Sequence, residues 1–86
     1  MTTGQKIKAL RQLKGINQEE LADKLNRHHK TDVFTRDVIA QWEIDKHKPY
    51  WEQAKMLVRY FNITLDDLFF DHRTQFLKEK TKLKRA

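Results

Sequence analysis

Apolar residues recur at intervals of about three and four along most of the 86-residue chain, and no run alternates strictly between apolar and polar. That period puts one face of a helix toward a core, so the pattern predicts an all-α protein. Ile7, Leu10 and Leu13 form the inner face of a first helix over about 4–14, with Thr3 as its N-cap and Gly15 at the left-handed position that ends it. Asn17 with Glu20 marks the start of a second helix, about 18–26, carrying Leu21, Ala22 and Leu25 inward. Arg27 to Val33 shows no helical face and reads as a loop. Thr35 caps a third helix, about 36–44, and a polar turn follows to Pro49. A fourth helix, about 50–61, carries Trp51, Ala54, Leu57, Val58 and Phe61 on one stripe, and Asn62 takes its left-handed cap. Thr64 with Asp67 caps a short fifth helix through Leu65, Leu68 and Phe69. Trp42, Trp51, Tyr60 and Phe61 are expected in the core, and Tyr50 is expected to be partly exposed.

The third helix has two unlike halves. On a wheel of 100° per residue, Val38, Ile39, Trp42 and Glu43 share one half, apolar except for Glu43 at its edge. Arg36, Asp37, Ala40, Gln41 and Ile44 share the other. An outward half this slim suits a DNA major groove, which is ~12 Å wide. Arg36 can donate two bonds to guanine, Gln41 can pair with adenine, and Asp37 can accept from a cytosine amine. The same face also serves as an ordinary solvated surface, with Asp37 suiting the helix dipole.

Charge adds to this picture through its location. The formal net charge is +6, yet residues 1–71 are nearly balanced, with twelve Lys and Arg against eleven Asp and Glu. Residues 72–86 hold six Lys and Arg against Glu79. The chain thus divides into a globule over 1–71 and a basic tail over 72–86. The tail's Phe76, Leu77 and Leu83 continue a seven-residue spacing from Phe69 and Phe70, which gives it helical potential, as a packed extension or a dimer seam. A polyanionic partner fits such charge. There are no cysteines, and no stretch approaches a membrane span, which leads to the expectation of a soluble, cytoplasmic protein.

Four segments together carry a resemblance. "IKALRQLKGINQEELADKL" at 7–25 looks like the first two helices of the Cro/repressor-type (XRE) helix-turn-helix family. "FTRDVIAQWE" at 34–43 resembles its recognition helix, "KHKP" at 46–49 its basic turn, and "AKMLVRYFNITLDDLF" at 54–69 its last two helices. The resemblance implies a compact five-helix bundle of the lambda-repressor type, with helix 3 in the major groove. It also implies that Gln18, Thr35, Lys46 and Lys48 meet phosphate, that Arg36, Asp37 and Gln41 meet base edges, and that Arg11 and Glu43 form a largely buried salt bridge. The wheel, which sets Glu43 at the inner edge, agrees with that bridge.

Two departures from the family pattern stand out. Leu25 and Trp42 are 17 positions apart, against about ten in the family, and the surplus sits in Arg27–Val33. Long surface loops cost little entropy. The surplus either lengthens helix 2 by a turn, forms a finger beside DNA, or makes no contact at all; Arg27, His28, His29 and Lys30 are the candidates for extra phosphate contacts. Where the family often has Asn-Gly after Trp-Glu, this chain has Ile44-Asp45. Ile44 faces outward, toward a thymine methyl or a partner protein.

Other chemistry is thin. His28 and His29 diverge on a helix, His47 and His72 stand alone, and no Gly-rich loop or nucleophile motif occurs. No enzyme activity, metal or cofactor is expected. The expected function is a sequence-specific DNA-binding transcriptional regulator, bacterial or phage-encoded, that represses from an inverted-repeat operator as a homodimer. No sensor domain is expected, so concentration or a partner protein would control it. The alternatives are an antitoxin whose tail grips a toxin, and a protein-interaction module that does not bind DNA.

Overall fold

The computed structural model describes residues 1–70; the tail over 72–86, and with it the expectation of a helical extension, lies outside the described residues. Five helices follow in order: α1 (Thr3–Leu13), α2 (Gln18–His29), α3 (Arg36–Glu43), α4 (Trp51–Phe61) and α5 (Leu65–Phe69). Among the described residues there is no strand, and no helix is long and apolar enough to cross a membrane.

Local signals decide most helix ends. Asn17 accepts the Glu20 N–H at 2.8 Å while the Glu20 side chain accepts the Asn17 N–H at 3.0 Å. Thr64 and Asp67 form the same reciprocal cap at α5, and Thr35 accepts the Val38 N–H at α3. Each such cap satisfies orphan donors of a first turn. Gly15 (φ 68°) and Asn62 (φ 57°) take the left-handed positions after α1 and α4. α1 begins one residue earlier than the periodicity suggests. Its cap is Thr2 and not Thr3, because Thr2 and Gln5 have the spacing of a capping box and each side chain bonds the other's backbone.

Ile7, Leu21, Leu25, Ile39, Leu57 and Leu68 are fully enclosed, with Ala22, Phe34, Trp42 and Ala54 completing the core. Phe34 and Trp42 meet edge to face, ring centroids 6.0 Å apart. α3 packs on both α1 and α2, and α5 on both α1 and α4. Lys6 is buried in α1, and its ammonium donates to the Asp67 carbonyl of α5 at 2.8 Å.

Two residues expected inward and one expected loop differ in the structure. Leu13 is 84% exposed and Trp51 is 61% exposed. Both sit at a helix terminus, where the apolar stripe runs past the neighbours that would cover it. The stretch from Arg27 is not all loop, since α2 runs on to His29 and ends with Lys30 in the left-handed region at φ 53°. The remaining surplus is closed by Asn26. Its amide donates to the Phe34 carbonyl at 2.8 Å and accepts the Phe34 N–H at 3.0 Å, which delivers Phe34 to the core.

Candidate nucleic-acid interface

α3 divides as its sequence pattern requires. Ile39, Trp42 and Glu43 are buried, Val38 is half-buried, and Arg36, Asp37 and Ile44 are exposed. Ala40 and Gln41 lie between, half-buried. The buried half fastens the helix, leaving an outward surface with a cation at its start, a carboxylate beside it and an amide one turn on. Among the described residues neither Arg36 nor Asp37 enters an ion pair, so both keep their full hydrogen-bonding capacity for a ligand.

The N-termini of α2 and α3 meet around a shallow concavity lined by Arg11, Asn17, Gln18, Glu19 and Arg36. Gln18 and Arg36, far apart in sequence, are thereby brought to one surface. Thr35 stands at the start of α3 with its hydroxyl oxygen accepting from Val38. A hydroxyl that accepts one bond still has its own proton to donate, so the cap and a phosphate contact are compatible.

Behind this surface Glu43 joins three elements. Its Oε2 accepts from Arg11 Nε at 2.7 Å, and its Oε1 accepts from Arg11 NH2 at 2.9 Å and from Gln18 Nε2 at 3.2 Å. Arg11 NH1 donates in addition to the Ile16 carbonyl at 2.8 Å. The Arg11 and Glu43 side chains are 12% and 3% exposed, and the hydrogen bonds that Arg11 donates to Glu43 raise the Arg11 pKa above its ordinary value. Removing one partner of a buried, bidentate pair costs about 3–5 kcal/mol, since the other charge is left uncompensated. The network fixes the end of α3 relative to α1 and to the first turn of α2, so the Gln18 side chain is held and does not swing freely.

After α3 the chain turns sharply. Ile44 caps the helix, Asp45 is left-handed at φ 60°, and the Lys46 and His47 N–H groups both donate to the Gln41 carbonyl. This turn presents Lys46, His47 and Lys48 as exposed side chains before the buried Pro49. Tyr50 is 78% exposed.

The four candidates within the surplus, Arg27, His28, His29 and Lys30, do not act as one group. His29 Nε2 lies 2.9 Å from the Met56 carbonyl of α4, and the His28 ring meets Tyr60 of α4 edge-on at 5.7 Å. Both imidazoles therefore join α2 to α4, while Arg27 and Lys30 point to solvent. Two features beyond the sequence reading matter here: the Asn26 clamp, and a pair of bonds from Asp45 to the first turn of α1. For the second, the Thr2–Gln5 spacing was the available signal for the α1 end, and nothing local signals the Asp45 end.

Comparison with known proteins identifies the family of the fold. The family model described as helix-turn-helix matches residues 7–68. The HTH-type transcriptional activator BcrR of Enterococcus faecalis is 32% identical over 68 residues, a match that covers 79% of this chain and 30% of that protein. No solved structure matches the chain. With a matched region that runs from the first core residue of α1 to the last of α5, the chain belongs to the helix-turn-helix family, a DNA-binding fold of transcription regulators.

Proposed function

We propose that this protein is a sequence-specific, DNA-binding regulator of transcription that acts through α3. The observation that carries the reading is the division of α3, whose buried half is tied to α1 and α2 through Glu43 and whose outward half offers Arg36, Asp37 and Gln41 to base edges. Gln18, Thr35, Lys46 and Lys48 supply phosphate contacts that position the helix without reading sequence. Arg27 and Lys30 extend the phosphate-contacting surface, and His28 and His29 hold the end of α2 that carries them. One α3 reads a short half-site, so the protein works as a homodimer on an inverted repeat and represses by occupying it.

Activation is the second reading, favoured by the Enterococcus faecalis relative, a transcriptional activator. A reporter placed behind the bound sequence separates the two, by falling or rising when the protein is expressed. DNA selection from a random pool tests the common core. The wild type enriches a palindrome, and the Arg36→Ala/Gln41→Ala variant loses that preference while keeping salt-sensitive binding. A pool that stays random with the folded wild type sinks the reading in favour of a protein-interaction module.

A further inference from the structure

The turn after α3 is anchored from an unexpected side. Asp45 Oδ1 accepts the Gly4 N–H at 2.9 Å, and Oδ2 accepts the Thr2 hydroxyl at 2.6 Å. The Gly4 N–H is one of the first-turn donors of α1 that no helical carbonyl can satisfy. Gly4 is buried, and a Cβ there would overlap the Trp42 carbonyl oxygen and come within 2.8 Å of Asp45 Oδ1. The first turn of α1 therefore lies directly on the last turn of α3, and a glycine makes that approach possible. On its other side Asp45 is built into the turn. Its N–H donates to the Trp42 carbonyl and the next N–H, of Lys46, to the Gln41 carbonyl, both at 3.0 Å. Lys48 lies close enough to add electrostatic attraction to the same carboxylate. The backbone that carries Lys46 and Lys48 is thus fastened at its root to the chain's first residues.

We propose that Asp45 is a positioning residue for DNA binding: clamped to Thr2 and Gly4, it holds the Ile44–Lys48 turn so that Lys46 and Lys48 meet backbone phosphates. The proposal rests on the DNA-binding reading above. It separates two jobs that one residue performs here, the left-handed backbone and the clamp. Glycine does the first job without strain and cannot do the second. Asparagine does both, since its Oδ1 accepts from Gly4 and its amide donates to the Thr2 oxygen. Both substitutions remove the same charge, so the difference between them isolates the clamp.

The test uses the full chain and a mixed-sequence duplex DNA, because phosphate contacts are independent of sequence. Affinity is measured against salt for the wild type, Asp45→Gly, Asp45→Asn, Lys46→Ala/Lys48→Ala and the combination of Asp45→Gly with both lysine changes. Thermal melts fix an assay temperature at which every variant is folded. Asp45→Gly is expected to bind several-fold more weakly than Asp45→Asn, with a salt slope lower by about one to two, the share of two phosphate contacts. In the Lys46→Ala/Lys48→Ala background Asp45→Gly is expected to change nothing further. Equal affinities and slopes for the Gly and Asn variants overturn the clamp, and so does an undiminished effect of Asp45→Gly without the lysines. A folded wild type with no salt-dependent affinity for the duplex overturns the DNA-binding reading itself and the clamp with it.

Discussion

Asp45 shows how a single side chain can substitute for a more permissive residue. A left-handed conformation costs an ordinary L-residue roughly 1–2 kcal/mol, less for Asp and Asn, and here the carboxylate recovers two hydrogen bonds across 43 and 41 positions of sequence. The Thr2 hydroxyl first, the Gly4 N–H next and the Lys48 charge last hold its pKa below the ordinary carboxylate range. The Asp45 side chain is solvent-exposed. A carboxylate whose pKa is lowered by folding adds stability above its unfolded value, about 3.9, and loses it as pH falls through the lowered one. The gap in melting temperature between wild type and Asp45→Asn is therefore expected to be constant from neutral pH down to about pH 5 and to close below the ordinary carboxylate pKa. A gap that stays the same through the acid range would show that the carboxylate charge plays no part in the clamp.

At the level of helices, α2 carries the main departure from the family pattern. Arg27–His29 have no apolar periodicity, yet they are helical, because the two imidazoles find partners on α4 and Lys30 supplies a left-handed stop. From that stop the chain must return to α3, and the Asn26 amide closes the return by pairing both backbone groups of Phe34. Asn26→Ala would leave those part-buried groups without their partner, at a cost of about 1–3 kcal/mol. The expected result is a lower denaturation midpoint and a loss of hydrogen-exchange protection at the Phe34 amide. Unchanged protection there would mean that burial of the Phe34 ring alone sets the path of the segment.

For the molecule as a whole, charge is unevenly divided along the chain. Residues 1–71 are nearly neutral and the excess of six positive charges lies mostly in residues 72–86. Counterion release scales with the number of phosphates neutralised, whereas in the proposed reading base choice belongs to α3. Replacing the tail's lysines and arginines with glutamine is expected to weaken binding to every duplex by a similar factor and to lower the salt slope, while the enriched sequence stays the same. Filter-binding titrations on the selected and a scrambled duplex check this. A change in the selected sequence would assign the tail a part in readout.

What the chain determined by itself was local or periodic. Asn17, Thr35, Asn62 and Thr64 lie within a few residues of the groups they cap, and the unlike halves of α3 follow from its period, so both were readable directly. The same period does not say where a stripe ceases to be covered, and so Leu13 and Trp51, which it places inward, stand exposed. Nor could it show that a histidine pair without an apolar face continues a helix. Those points depend on which helix lies opposite, and so did the joining of Gln18 and Arg11 to Glu43, which the family resemblance suggested for Arg11 and packing extended to Gln18. The Asp45 clamp belongs wholly to tertiary structure. It requires α1 to approach α3 as closely as a glycine allows, and no spacing along the sequence encodes the distance between two helices.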